Sequence, residues 1–114
     1  MNVLVVDDQE AIRDTLQTAL DDEGFTVECA ANGREALEIL ERWKPCVILL
    51  DLMMPVMDGR AFRAEQQRSG NDVPVVLLSA AGELSRHRQA LGAAAVIAKP
   101  FDIDHVISAI EGVC

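Results

Sequence analysis

The chain has 114 residues, half of them apolar, with nineteen acidic side chains against ten Lys and Arg and a formal charge of −9. That length suits one domain with one core and leaves no room for a second catalytic or DNA-binding module, and the negative charge removes the electrostatic basis for direct nucleic-acid binding. No stretch is long and apolar enough to span a bilayer and no signal peptide precedes the first strand, so a soluble, cytoplasmic domain without membrane partners is expected.

Val3-Leu4-Val5-Val6 is a short apolar run without alternation, the pattern of a strand covered on both faces, and it ends in Asp7-Asp8. Ile12, Leu16, Ala19 and Leu20 then recur at helical spacing, closed by Gly24. Thr26 to Ala30 alternates as a short strand. Asn32-Gly33 has the form of a hairpin turn, but Asn32 with Glu35 three residues on suits a helix cap better, and Ala36, Leu37 and Leu40 supply a buried stripe. Lys44-Pro45 ends that helix, and Cys46 to Leu50 forms a second unalternating strand that delivers Asp51.

A loop of Leu52 to Asp58 leads into a helix from Asp58-Gly59 to about Arg68, with Ala61, Phe62 and Ala64 assigned to its inner side, and Ser69 to Asp72 is the next break. Val75 to Leu78 is a strand ending at Ser79, Leu84 to Leu91 a helix, and Ala94 to Ala98 a strand ending at Lys99. Asp102 caps a last helix with Val106, Ile107, Ile110 and Val113 inward. Three cysteines, Cys29, Cys46 and Cys114, show no CxxC spacing and leave one unpaired under any disulfide scheme, which fits a reduced compartment. Cys29 and Cys46 read as small core residues, and His87 and His105 lie too far in sequence from any Cys pair to suggest structural zinc.

Five strands alternating with five helices predict a doubly wound α/β domain over residues 1–114, its parallel sheet covered on both faces by right-handed crossovers. Ligands of such sheets bind beyond the carboxyl ends of the strands, the edge that carries Asp7-Asp8, Asp51, Ser79 and Lys99. Three carboxylates there point to a metal-dependent phosphoryl acceptor.

Together, Asp7-Asp8, the run Asp51-Leu52-Met53-Met54-Pro55-Val56-Met57-Asp58-Gly59, Ser79-Ala80 and Lys99-Pro100-Phe101 resemble the receiver domain of two-component response regulators, over essentially the whole chain. The resemblance implies a flavodoxin-like strand order. It makes Asp51 the nucleophile that takes a phosphoryl group from a sensor histidine kinase, a phosphotransfer protein or a small donor, without multiple turnover. Mg²⁺ would be held by Asp7, Asp8, Asp51, the backbone carbonyl of Met53 and water. Lys99 would pair with the phosphoryl oxygens, Ser79 would donate its hydroxyl and draw the following loop inward, and the Lys99-Pro100 bond would be cis.

Val96 departs from the pattern, standing where many members carry Tyr or Phe; too small to report phosphorylation by ring rotation, it leaves the switch to Ser79 and its loop. Met53 and Ala81 flank the water approach and cannot orient water, so slow dephosphorylation is expected. Arg86, His87 and Arg88 form a basic patch on a helix that the family uses for dimers or partners, although a plain solvated face explains them too. A degenerate receiver acting only as a binding module is the alternative reading. A haloacid-dehalogenase-like phosphatase would want an acid at Met53, and a flavodoxin a phosphate-binding loop where the paired acids stand.

Overall fold

The unalternating apolar runs become the inner strands of one parallel sheet, where both faces are buried. The computed structural model describes residues 1–52, 57–80 and 91–114. In chain order its elements are β1 (Asn2–Val6), α1 (Glu10–Asp22), β2 (Thr26–Ala30), α2 (Gly33–Arg42), β3 (Val47–Asp51), α3 (Gly59–Arg68), β4 (Val75–Ala80), β5 (Ala95–Lys99) and α4 (Ile103–Val113). The sheet order is β2-β1-β3-β4-β5, all parallel, the flavodoxin-like arrangement. The helix expected over Leu84 to Leu91 lies outside the described residues except for Leu91, which is helical. None of the described helices is long and apolar enough to cross a membrane.

The period-two geometry of strands sorts the core into two layers. Val3, Val5, Val47, Leu49, Val76 and Leu78 face Leu16 and Leu20 of α1 and Val106 and Ile110 of α4. Leu4, Val6, Ile48, Leu50, Val75 and Leu77 face Ala36 and Ile39 of α2 and Phe62 of α3. Asn32 caps α2 by accepting the Glu35 N–H at 3.0 Å, while the Glu35 carboxylate accepts the Ala31 N–H at 3.0 Å, so the helix wins over the hairpin. Gly24 closes the turn after α1 at φ 92°, a left-handed conformation that favours glycine.

Three sequence expectations need correction. The α2 stripe centres on Ala36 and Ile39, with Leu37 and Leu40 half-buried at its edge. On α3 both Ala61 and Ala64 are exposed, and Gln66 is buried beside Phe62. The Gln66 amide donates to Asn71 Oδ1 at 2.9 Å and Val73 O at 3.0 Å and accepts from Arg63 at 2.6 Å, which makes a polar core residue tolerable. Lastly, Cys46 is not a free core thiol: it is disulfide-bonded to Cys114, 68 residues away, because the start of β3 and the end of α4 meet at one sheet edge. Cys29 is the free cysteine, half-buried.

Candidate functional site

Strand register builds the site. Val6 of β1 is opposite Leu50 of β3, so the residue that follows each of them, Asp7 and Asp51, stands at the same carboxyl edge. Asp7 is completely buried and Asp51 nearly so, whereas Asp8 is exposed. One carboxylate oxygen from each of Asp7, Asp8 and Asp51 lies within 4.8 Å of the other two.

Asp7 is held from several sides. Its Oδ1 accepts the Gln9 N–H at 2.9 Å, its own N–H donates to Ala30 O at 3.1 Å, and Arg13 donates from Nη1 to its carbonyl at 2.7 Å. Lys99 ends β5, two strands from β3, yet its ammonium lies 3.0 Å from Asp7 Oδ2 and 3.4 Å from Asp51 Oδ1. The Lys99–Pro100 peptide is cis. Ser79, buried in β4, pairs with Ala98, while Ala80 pairs with Lys99, so Ser79 stands one step back from the Lys99 level on the adjacent strand. Val96 is half-buried against the α2 and α3 layer, opposite Leu77. Met53, Ala81, Arg86, His87 and Arg88 lie outside the described residues.

Gly59 sits directly under the acceptor loop. Its N–H donates to Leu52 O at 3.0 Å, and a Cβ there would lie 2.9 Å from Leu52 Cα and 3.0 Å from Asp51 O. Gly33, at the start of α2, donates its N–H to Met57 O at 3.2 Å and would bring a Cβ within 2.8 Å of Met57 Cγ. Both ends of the loop after Asp51 are therefore seated on glycines.

The donor set suits a hard divalent cation. All three converging ligands are carboxylate oxygens, one residue is exposed and so open to water, and Mg²⁺ favours oxygen ligands while keeping part of its hydration. Three converging carboxylates also gather more negative charge than the Lys99 ammonium offsets by itself, and such a cation would reduce it.

The model of the response regulator receiver domain family matches residues 3–111. The chain belongs to this family. It is 35% identical over 113 residues to the response regulator MprA of Mycobacterium leprae, covering 97% of this chain and 50% of that protein. The receiver domain of Francisella response regulator 1452 superposes with a TM-score of 0.91 at 29% identity, covering 98% of this chain and 94% of that one. Vibrio cholerae CheY4, a chemotaxis response regulator, gives 0.88 at 33% identity, covering 99% and 98%. This receiver spans about half the length of the curated relatives it matches. Receiver domains are two-component signalling modules rather than multiple-turnover enzymes, and they bind Mg²⁺ at an acidic pocket.

Sequence reasoning passed over Arg13, Gln9 and Gly33, although each fastens part of this receiver's site. Arg13 gave no local signal, because its partner is the backbone carbonyl of Asp7, six residues back and outside the helix. Gly33 gave none, because its contact with Met57 joins elements distant in sequence.

Proposed function

We propose that this receiver accepts a phosphoryl group on Asp51 from a histidine kinase or phosphotransfer protein in the cytoplasm, and then switches to control an output domain or partner. The observation that carries the reading is the placement of the buried Asp51 carboxylate beside Asp7, Asp8 and the Lys99 ammonium. One Asp51 oxygen attacks phosphorus in line with the donor's P–N or P–O bond, which breaks and leaves an acyl phosphate. Lys99 moves from neutralising carboxylates to neutralising phosphoryl oxygens, and the Ser79 hydroxyl donates to one of them. Arg13 and Gln9 keep Asp7 in place throughout. Asp7, Asp8 and Asp51, with the Met53 carbonyl and water, would hold Mg²⁺, which when bound offsets phosphoryl charge. With Val96 in place of an aromatic, the response runs through Ser79 and the segment after it. The test is chemical: protein-bound phosphate should be released by hydroxylamine, as an acyl phosphate is, and resistance to hydroxylamine would rule out Asp51 as acceptor.

Metal linkage gives a first prediction. At free Mg²⁺ of about five times its Kd, mass action stabilises the fold by roughly 1 kcal/mol. The gain should vanish in Asp8→Asn, whose exposed position spares the core. Coincident thermal melts in Mg²⁺ and in chelator would contradict it.

A cleft of about 450 Å³ beside the site is lined by Gln9, Ile12, Lys99, Pro100 and Phe101. A phosphohistidine protein approaching Asp51 meets this partly apolar rim, whereas a small donor does not. Ile12→Ala should therefore lower phosphotransfer from a phosphorylated histidine-phosphotransfer protein about tenfold, the effect of losing an ordinary interface anchor, and leave acetyl phosphate uptake unchanged. Equal losses with both donors would place the defect in the fold.

A further inference from the structure

Cys46 precedes β3 at the sheet edge opposite Asp51, its N–H donating to Asn2 O at 2.8 Å. Cys114 caps α4, its N–H donating to Ile110 O at 2.8 Å. Their Cα atoms are 5.5 Å apart, within the usual range for a bridge, and the bond closes a separation of 68 residues. It fastens the far end of the helix whose near end follows Lys99-Pro100-Phe101. Cys114 is exposed and Cys46 half-buried, so a thiolate from solution can reach the Cys114 sulfur. The third cysteine behaves differently. Cys29 lies on β2, its Sγ 3.8 Å from Gln17 Oε1, and burial pushes its thiol up, which keeps it protonated and slow to exchange at neutral pH.

We infer that Cys46–Cys114 is a reversible thiol–disulfide site that exchanges with low-molecular-weight thiols and disulfides of the glutathione class, and so sets how firmly α4 is held. In the reducing direction a thiolate attacks Cys114 Sγ, the bond to Cys46 breaks, and Cys46 leaves as a thiolate that takes up a proton. A second thiolate then attacks the sulfur bound to Cys114, freeing the small disulfide and the Cys114 thiol. Two thiols are oxidised to one disulfide while the protein gains two electrons and two protons, and the small disulfide drives the reverse. Persistent disulfides are rare in reducing compartments, where such pairs cycle. The site stands apart from Asp51, so it tunes the α4 side of the receiver without entering the phosphoryl chemistry.

The experiment equilibrates the full chain across graded ratios of oxidised to reduced glutathione, followed by acid quench, alkylation, peptide mapping and parallel melts. The expected result is a linked peptide pair containing Cys46 and Cys114, with Cys29 alkylated, that disappears through a midpoint within the series. The reduced form should melt roughly 10 °C lower, as for closure of a long loop in a small domain. Its α4 amides should exchange faster with deuterium. Cys114→Ser and Cys46→Ser should melt like reduced protein at every ratio, and Cys29→Ser like wild type. Alkylation of both Cys46 and Cys114 in the most oxidising buffer would overturn the proposal. So would a link that survives the most reducing buffer, or melts that do not respond to the ratio.

Discussion

Lys99→Met should cost the Mg²⁺-free protein roughly 2 kcal/mol and slow phosphoryl uptake by about a hundredfold or more. The ammonium faces a completely buried Asp7 at 3.0 Å and a nearly buried Asp51 at 3.4 Å, so methionine fills its volume and takes that positive charge away from both carboxylates. Removing one partner of a fully buried pair costs about 3–5 kcal/mol. The Lys99 side chain is 23% exposed, so solvent screening pulls the figure toward the lower value. A divalent ion supplies the missing positive charge, and Mg²⁺ should therefore raise the melting temperature of the variant more than that of the parent. Equal Mg²⁺ shifts in the two proteins would mean that Lys99 does not balance the acidic cluster.

Gly59→Ala should damage both stability and phosphorylation, because the new methyl group meets backbone atoms as well as the Leu52 side chain, and backbone cannot swing aside. It would lie 2.9 Å from Leu52 Cα and 3.0 Å from Asp51 O, so the acceptor loop must move. Overpacking of this kind costs about 1–3 kcal/mol, against a helix-propensity gain of at most about 1 kcal/mol, and the clash wins. Displacing the segment beside the nucleophile should cost on the order of a hundredfold in rate, as misplacements near 1 Å do. Gly112→Ala is the matched control: nothing lies within 4 Å of a Cβ there, on an exposed position of α4, so the same substitution should stabilise slightly. Denaturant melts of both variants, read beside acetyl phosphate uptake, decide the point. A stable, active Gly59→Ala would show that the loop has slack.

The strands and the acids at their ends were legible because burial on both faces removes alternation, so a charged residue after such a run stands out, as Asp7 and Asp51 do. The cap at Asn32 was legible for a local reason, the three-residue spacing to Glu35. What stayed hidden depends on partners distant in sequence. The Cys46–Cys114 bond needs the end of α4 and the start of β3 to share an edge, and spacing alone does not carry that. Gln66 reads as a surface residue until Arg63, Asn71 and Val73 are seen to satisfy its amide. Hydrophobicity placed Ala61 inside, but the helix begins at the Asp58 cap, which accepts the Ala61 N–H at 2.9 Å and leaves Phe62 and Gln66 to face the sheet. Arg13 went unnoticed because its contact is to a backbone carbonyl, which every residue has.

The role proposed for Asp51 is that of a Mg²⁺-dependent phosphoryl acceptor. Intact mass after incubation with acetyl phosphate, with and without Mg²⁺ and beside Asp51→Asn, tests it most directly. One added phosphoryl group that requires both Mg²⁺ and Asp51 is the predicted result. An unmodified parent protein, or equal modification of Asp51→Asn, would contradict it.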